Sequence, residues 1–460
     1  MEAEAVLRLR PELGAYLREF GSCMGRASNA AHLRTYVEGQ VGPLERKSVE
    51  PIALAAGTPV RTMQEFLSMF KWDHPRLRDL HQRRVARRHP CDAAIGMIDE
   101  TSFPKKGRKT ACVQRQHCGA LGKQENCVVS VHLAYATPTF HTLLDGELFV
   151  PEHTWHEDRA RCREAGIPDD VGYRSKCHIA LEQLKRARDN GVRLAWLTFD
   201  EGYGAKPWFL HELDALGQTY VAELPRDFRV WTTEPRARAR THPCDAHRDG
   251  RPALMVQTNP MITVEHVLGY SPKVRGLEWK KYVVNDSTTG PLVWEAVRIP
   301  VWLKDERGLP TRAHHLVIVK SVLVKAEIKF FLSNAPEGTS VEDLLFVAFS
   351  RWRVERLFED GKGELGMDHF EARRYVAIQR HLILSCVSHA FLAEFCERRR
   401  PKSPGPDRVP GPRRGEDAGA ALDRRPPLLA GVGGPDRRGR PADPTAQHPG
   451  GTFTPRDQAP

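Results

Sequence analysis

Up to about residue 90, apolar residues recur at three- and four-residue spacing, which predicts helices over 30–38, 45–55, 62–70 and 75–88. Ala55-Ala-Gly-Thr-Pro-Val60 separates two of them, with Thr58 placed to cap the second and Pro59 suited to its first turn. A helix-turn-helix that meets DNA is one reading of this segment, and a plain helical bundle is the other. From residue 93 the period changes. Residues 95–99, 111–117 and 126–135 read as three successive strands of a meander. A helix over 176–190 follows, stopped by Gly191, then a strand over 194–199, a helix over 207–216 and a strand over 220–224. The order βββαβαβ predicts an α/β fold, a mixed sheet flanked by helices.

Between residues 225 and 338 the chain is rich in Val, Trp, Thr and Tyr, with a turn signal at Asn285-Asp-Ser-Thr-Thr-Gly290, and reads as an inserted β-rich subdomain. Trp279, Trp294 and Trp302 lie there among Lys and Arg; core packing is favoured over stacking on a base. A helix is predicted from Ser340 or Glu342, with Val347, Val354, Phe358 and Leu365 as its buried stripe, and a second apolar helix over 382–395. Beyond Arg398 the periodicity stops and Pro, Gly, Arg, Asp and Ala dominate, so residues 398–460 are expected to be disordered. That bias is what a GC-rich message gives in the wrong frame, and a frameshift near residue 400 is the expected origin, with a natural basic tail as the alternative. The domain reading is 1–92 helical, 93–224 core, 225–338 insertion, 339–397 core again and 398–460 tail.

The 460 residues carry a formal net charge of +11 and a pI near 9.2, which favours a polyanionic partner, above all nucleic acid. The first residues do not combine a basic start, an apolar middle and a small-residue cleavage site, and no run of about 18 apolar residues is present, so a soluble cytoplasmic protein is expected. Cys112, Cys118 and Cys127 read as buried free thiols, and His242, Cys244 and His247 as a loop in preference to a ligand set. The cluster Arg83, Arg84, Arg87 and Arg88 is either solvated or set against phosphate.

Candidate chemistry comes from three acids. Two apolar runs end in Asp99 and Asp200, and Arg351-Trp-Arg-Val-Glu355 is followed by Lys362. On a helix Arg351, Glu355 and Lys362 fall within roughly 40° of one another, one carboxylate between two cations. Two strand-end aspartates and a helix glutamate suit two Mg²⁺ ions about 4 Å apart, which activate an attacking water and stabilise the leaving oxygen of a phosphodiester. Magnesium prefers carboxylate oxygens, so no His/Cys cluster is needed; Mn²⁺ is the substitute. Glu100 and Glu201 adjoin the aspartates, but neighbours on an extended strand point to opposite faces.

Ile98-Asp-Glu-Thr-Ser-Phe-Pro-Lys-Lys-Gly107, Arg115-Gln-His-Cys-Gly-Ala-Leu-Gly122, Phe199-Asp-Glu-Gly-Tyr-Gly204 and Arg351-Trp-Arg-Val-Glu-Arg-Leu-Phe358 together resemble DDE transposases of bacterial insertion sequences. The likeness is to the insertion-sequence 701 family, related to the insertion-sequence 4 group, and runs from about residue 10 to residue 396. It implies an RNase H-like core with a β-rich insertion before the glutamate helix, and Asp99, Asp200 and Glu355 as the catalytic, metal-binding triad. The related group's Tyr-x2-Arg-x3-Glu-x6-Lys signature is matched by Arg351, Glu355 and Lys362, with Ala348 at the tyrosine position. Arg351 and Lys362 are expected to hold DNA phosphates. The implied activity is hydrolysis at transposon ends, then attack of the freed 3′-OH on target DNA, by a homodimer assembled on double-stranded DNA, with no membrane partner. Two other readings remain, a DNA-binding remnant without catalysis and a metal-dependent nuclease that cuts without joining.

Overall fold

The computed structural model describes residues 3–239, 254–257, 260–287, 290–324 and 327–399. The segment with His242, Cys244 and His247, and the tail from residue 400 onward, lie outside the described residues.

Ten strands form one sheet: β1 Ile95–Pro104, β2 Gln114–Cys118, β3 Lys123–Ala136, β4 His141–Leu148, β5 Trp196–Phe199, β6 Tyr220–Leu224, β7 Lys280–Ser287, β8 Gly290–Lys304, β9 Pro310–Ser321 and β10 Ile328–Ser333. The order across it is β7-β8-β9-β10-β6-β5-β1-β3-β2, with β4 also on β3. β2 takes the first part of β3 and β4 the rest. β1 is antiparallel to β3 and parallel to β5, which is parallel to β6. The central order β4-β3-β1-β5-β6 is the RNase H-like arrangement. β10 pairs with β6, so the β-rich stretch continues the core sheet.

Alternation along the strands divides the core in two. Ile95, Met97 and Phe103 of β1 share one face with α8 (Val341–Phe349) and α9 (Trp352–Gly363), whereas Ile98 faces α6 (Lys176–Asp189) and α7 (Pro207–Ala215). The amino-terminal helices α1 Ala3–Arg18, α2 Ala27–Val41, α3 Val49–Ala55, α4 Val60–Ser68 and α5 His74–Arg88 form a bundle around α10 Tyr375–Glu397. One stripe of α10, Ile378, Leu382 and Cys386, packs on the sheet, and Ile383, Val387 and Phe391 pack on the bundle. By length and composition α10 would also cross a membrane, but most of it is buried inside the protein. Trp294 is in the core, and Cys112, Cys118 and Cys127 are buried free thiols.

Several local expectations are corrected. Helix α4 has Pro59, not Thr58, at its cap position and so begins without a side-chain cap; the Thr58 amide instead terminates α3, donating to Ala53 O at 2.9 Å across a left-handed Gly57 (φ +63°). The glutamate helix is two helices. Ser350 Oγ donates to Phe346 O at 2.6 Å, and Arg353 and Val354 bond back three residues, so the axis breaks at Ser350-Arg351. The arginine cluster of α5 splits: Arg84 is buried between Glu394 and Glu19, whereas Arg83, Arg87 and Arg88 are exposed, Arg83 donating to Asn190 and Arg87 pairing with Glu19 at 2.8 Å.

Candidate active site

Parallel pairing of β1, β5 and β6 places Ile98 beside Phe199 and Phe199 beside Ala222. The next residue on each strand is an acid, Asp99, Asp200 and Glu223. These three point to the face of α8 and α9, since Ile98, Phe199 and Ala222 belong to the opposite core. Asp99 is not at the end of its strand, as β1 continues against β3 as far as Pro104. It lies where β1 loses β5 as a neighbour, a cleft with room for a side chain from the helices above.

That side chain is Arg351. Its Nη1 lies 3.1 Å from Asp99 Oδ2 and 3.2 Å from Glu355 Oε1, and its Nε lies 4.0 Å from Glu223 Oε2. Burial opposes its charge, but Asp99, Glu355, Glu223 and Asp200 outweigh burial and hold the guanidinium protonated. Asp99 also accepts from the Glu100 amide at 2.7 Å. Burial first, then the charge of Asp200, pushes the Asp99 carboxyl up to about 7 despite Arg351.

Asp200 has no ion-pair partner among the described residues. Its Oδ1 accepts from the amides of Gly202 and Tyr203 at 3.0 and 3.4 Å, capping the helical turn Glu201–Gly204. That turn lies directly on β6. A Cβ on Gly204 would stand 1.9 Å from Glu223 O, so only glycine allows the approach. Glu223 in turn accepts from Lys329 Nζ of β10 at 2.9 Å.

The remaining expected residues are dispersed around this centre. Lys362, seven positions beyond Glu355 and thus about 10 Å along α9, donates to Ser102 O at 3.4 Å, and burial lowers its pKa. Glu100 points away to Lys176 at 2.5 Å, and Glu201 is exposed. Sequence reasoning missed Glu223, although the signal was available: Tyr220-Val-Ala-Glu223 is a third apolar run ending in an acid. Among the described residues no three His, Cys, Asp or Glu side chains stand close enough to grip an ion as they are, and the Arg351 guanidinium lies between Asp99 and Glu355.

Comparison with known proteins fits this geometry. Residues 19–288, more than half of the chain, match the pattern of the family described as DDE superfamily endonuclease. The match takes in Asp99, Asp200 and Glu223 and ends before Glu355. A protein of Microchaete diplosiphon named "Probable transposase for insertion sequence element IS701" is 30% identical over 188 residues, 40% of this chain and 46% of that relative. The chain thus spans about half the length of the relative it matches. With more than half of its length in the family pattern, the chain belongs to the DDE superfamily endonucleases.

Proposed function

We propose that this endonuclease is a transposase of the insertion-sequence 701 type, which cuts double-stranded DNA at element ends and joins the freed 3′-OH to target DNA. Asp99, Asp200 and Glu355 are its catalytic residues and the ligands of two divalent ions, Mg²⁺ in the first instance and Mn²⁺ as substitute. The observation that carries this reading is the meeting of Asp99 and Glu355, 256 residues apart in sequence, on one guanidinium beside Asp200. The donor set fits a hard cation: its groups are carboxylate oxygens, their charge exceeds what Arg351 and Lys329 neutralise, and a cationic group already occupies their centre.

When bound, the ions supply a deprotonated attacker, charge relief on the phosphate and a stabilised leaving oxygen. The chain's own residues position them. Asp99 and Asp200 offer oxygens from adjacent strands fixed by the sheet, and Glu355 from a helix seated on the core through Val354, Leu357 and Phe358. Lys362 holds a DNA phosphate beside the scissile bond, and Arg351 contacts phosphate once released from Asp99 and Glu355. The helices before residue 92 bind DNA outside the catalytic cleft, and the protein works in the cytoplasm as a homodimer on paired element ends. Its net charge of +11 draws it to DNA.

The test is nicking of a supercoiled plasmid carrying the element ends. Glu355→Gln is expected to lower nicking at least about a thousandfold while gel-shift binding of an end fragment persists, and undiminished nicking refutes the assignment. Nicking by the unaltered chain without joining of 3′-OH ends selects the nuclease reading, and binding without nicking selects the remnant.

A further inference from the structure

We infer that Arg351 is a built-in counter-ion which closes the acid centre to metal, and that Glu223 is the docking position to which its guanidinium moves when a divalent ion enters. This rests on the proposed metal site and adds to it a residue outside the triad. One nitrogen, Nη1, contacts both Asp99 Oδ2 and Glu355 Oε1, at 3.1 and 3.2 Å. Magnesium holds its oxygens at about 2.1 Å, so an ion shared by these two carboxylates needs the space that Nη1 occupies. The ion and the guanidinium therefore exclude each other.

A displaced guanidinium needs an anionic partner, because the Arg351 side chain is only 21% exposed and a buried unpaired charge is costly. Glu223 is placed to be that partner. It stands on the strand next but one to Asp99, on the same face, with its Oε2 4.0 Å from Arg351 Nε; its other oxygen is anchored by Lys329. The distance is too long for a hydrogen bond, so the contact is available but not yet made. Arg351 sits at the break between α8 and α9, where its backbone is fixed and its side chain has no capping duty. Rotation of the side chain is enough to shift its pairing from Asp99 and Glu355 to Glu223, while Glu355 stays in place on α9.

Mn²⁺ titration of the metal-stripped full chain, read by the electron-spin resonance of free Mn²⁺, tests this without any assay of cleavage. Arg351→Gln is expected to bind Mn²⁺ roughly tenfold more tightly than the unaltered chain, on the scale of one charge-assisted hydrogen bond removed from competition. Arg351→Lys, which keeps a competing charge, should fall between them. Glu223→Gln should weaken binding several-fold, and should change nothing when added to Arg351→Gln, since the group it receives is gone. Equal or weaker binding in Arg351→Gln overturns the inference. So does weakening by Glu223→Gln in both backgrounds, which makes Glu223 a direct ligand. Thermal melts without metal show that each variant is folded and add a second readout: Mn²⁺ should raise the melting temperature of Arg351→Gln more than that of the unaltered chain. Asp99→Asn separates the two claims, because Mn²⁺ binding unchanged by it refutes the proposed metal site itself.

Discussion

Two clusters of charge are packed against this sheet, and they are built to opposite ends. Around β4, Asp145 takes Arg186 at 2.9 Å and the Gln82 amide at 3.0 Å, Glu147 takes Arg186 at 3.4 Å and also Arg174, and Arg174 continues to Glu182. Each of these carboxylates touches an arginine. At the ends of β5 and β6, Asp99, Asp200, Glu223 and Glu355 share Arg351 and Lys329, and Asp200 is left to backbone amides. A buried aspartate stands at the centre of each, Asp145 in one and Asp99 in the other, so burial of charge does not mark function by itself. Charge left over after pairing does, because a scaffold has no reason to retain an acid that raises the proton affinity of Asp99 beside it.

The largest expected effect concerns the scaffold in acid. His132 and His381 are fully buried and His389 nearly so, and burial lowers their pKa values to about 4, 4 and 3. The unfolded chain takes up these protons near pH 6.5 and the folded chain does not, so stability is complete above about 6.5 and falls as pH drops toward 4. Each histidine contributes a slope of about 1.4 kcal/mol per pH unit, and melting temperatures measured from pH 7 to pH 4 should fall steeply. Next, Arg186→Met leaves Asp145 and Glu147 without their shared partner and should cost about 3–5 kcal/mol in urea unfolding.

The acid centre should respond with the opposite sign. The folded-state pKa of Asp99 is raised to about 7, so its contribution is present below about 4 and is lost as pH rises through 7. In chelator, Asp99→Asn should therefore gain on the order of 3 kcal/mol over the unaltered chain at pH 8, and almost nothing at pH 4. A variant that gains stability while losing cleavage is the signature of a site held against stability. The smallest effect belongs to a surface i,i+4 pair: Glu65→Gln, which frees the exposed Arg61 at 2.8 Å, should change unfolding by no more than about 0.5 kcal/mol.

Much of this was legible in the sequence, and what was hidden was hidden for the same reason. Strands β1, β5 and β6 were readable because a mostly apolar run precedes each acid. Strand β4 was not, since Asp145-Gly-Glu147 breaks the pattern. Those charges are tolerated only because arginines from distant elements meet them, and Gly146 is needed because a Cβ there would stand 2.4 Å from the His132 ring. Helix α10 starts at Tyr375, seven residues ahead of the apolar run that announced it. Arg380 and His381 look like solvent-facing interruptions, yet Arg380 donates to the carbonyls of Phe66, Leu67 and Trp72, and His381 lies between Tyr36 and the Met367 carbonyl. The i,i+4 spacing put Arg351 and Glu355 on one stripe, and the two side chains meet there at 3.2 Å. It did not predict that the cation would turn inward to Asp99, which depends on the helix break and on the cleft beside β5.

The central claim is that Asp99, Asp200 and Glu355 together hold divalent metal, and iron-directed backbone cleavage tests it most directly. Fe²⁺ substituted for Mg²⁺, with ascorbate and peroxide, generates hydroxyl radicals that cut the chain beside the bound ion, and mass spectrometry maps the cuts. Cuts clustered beside Asp99, Asp200, Glu223 and Glu355, suppressed by excess Mg²⁺ and lost in Asp200→Asn, are the predicted result. Cuts elsewhere in the chain, or cuts at these positions that survive Asp200→Asn, would contradict it.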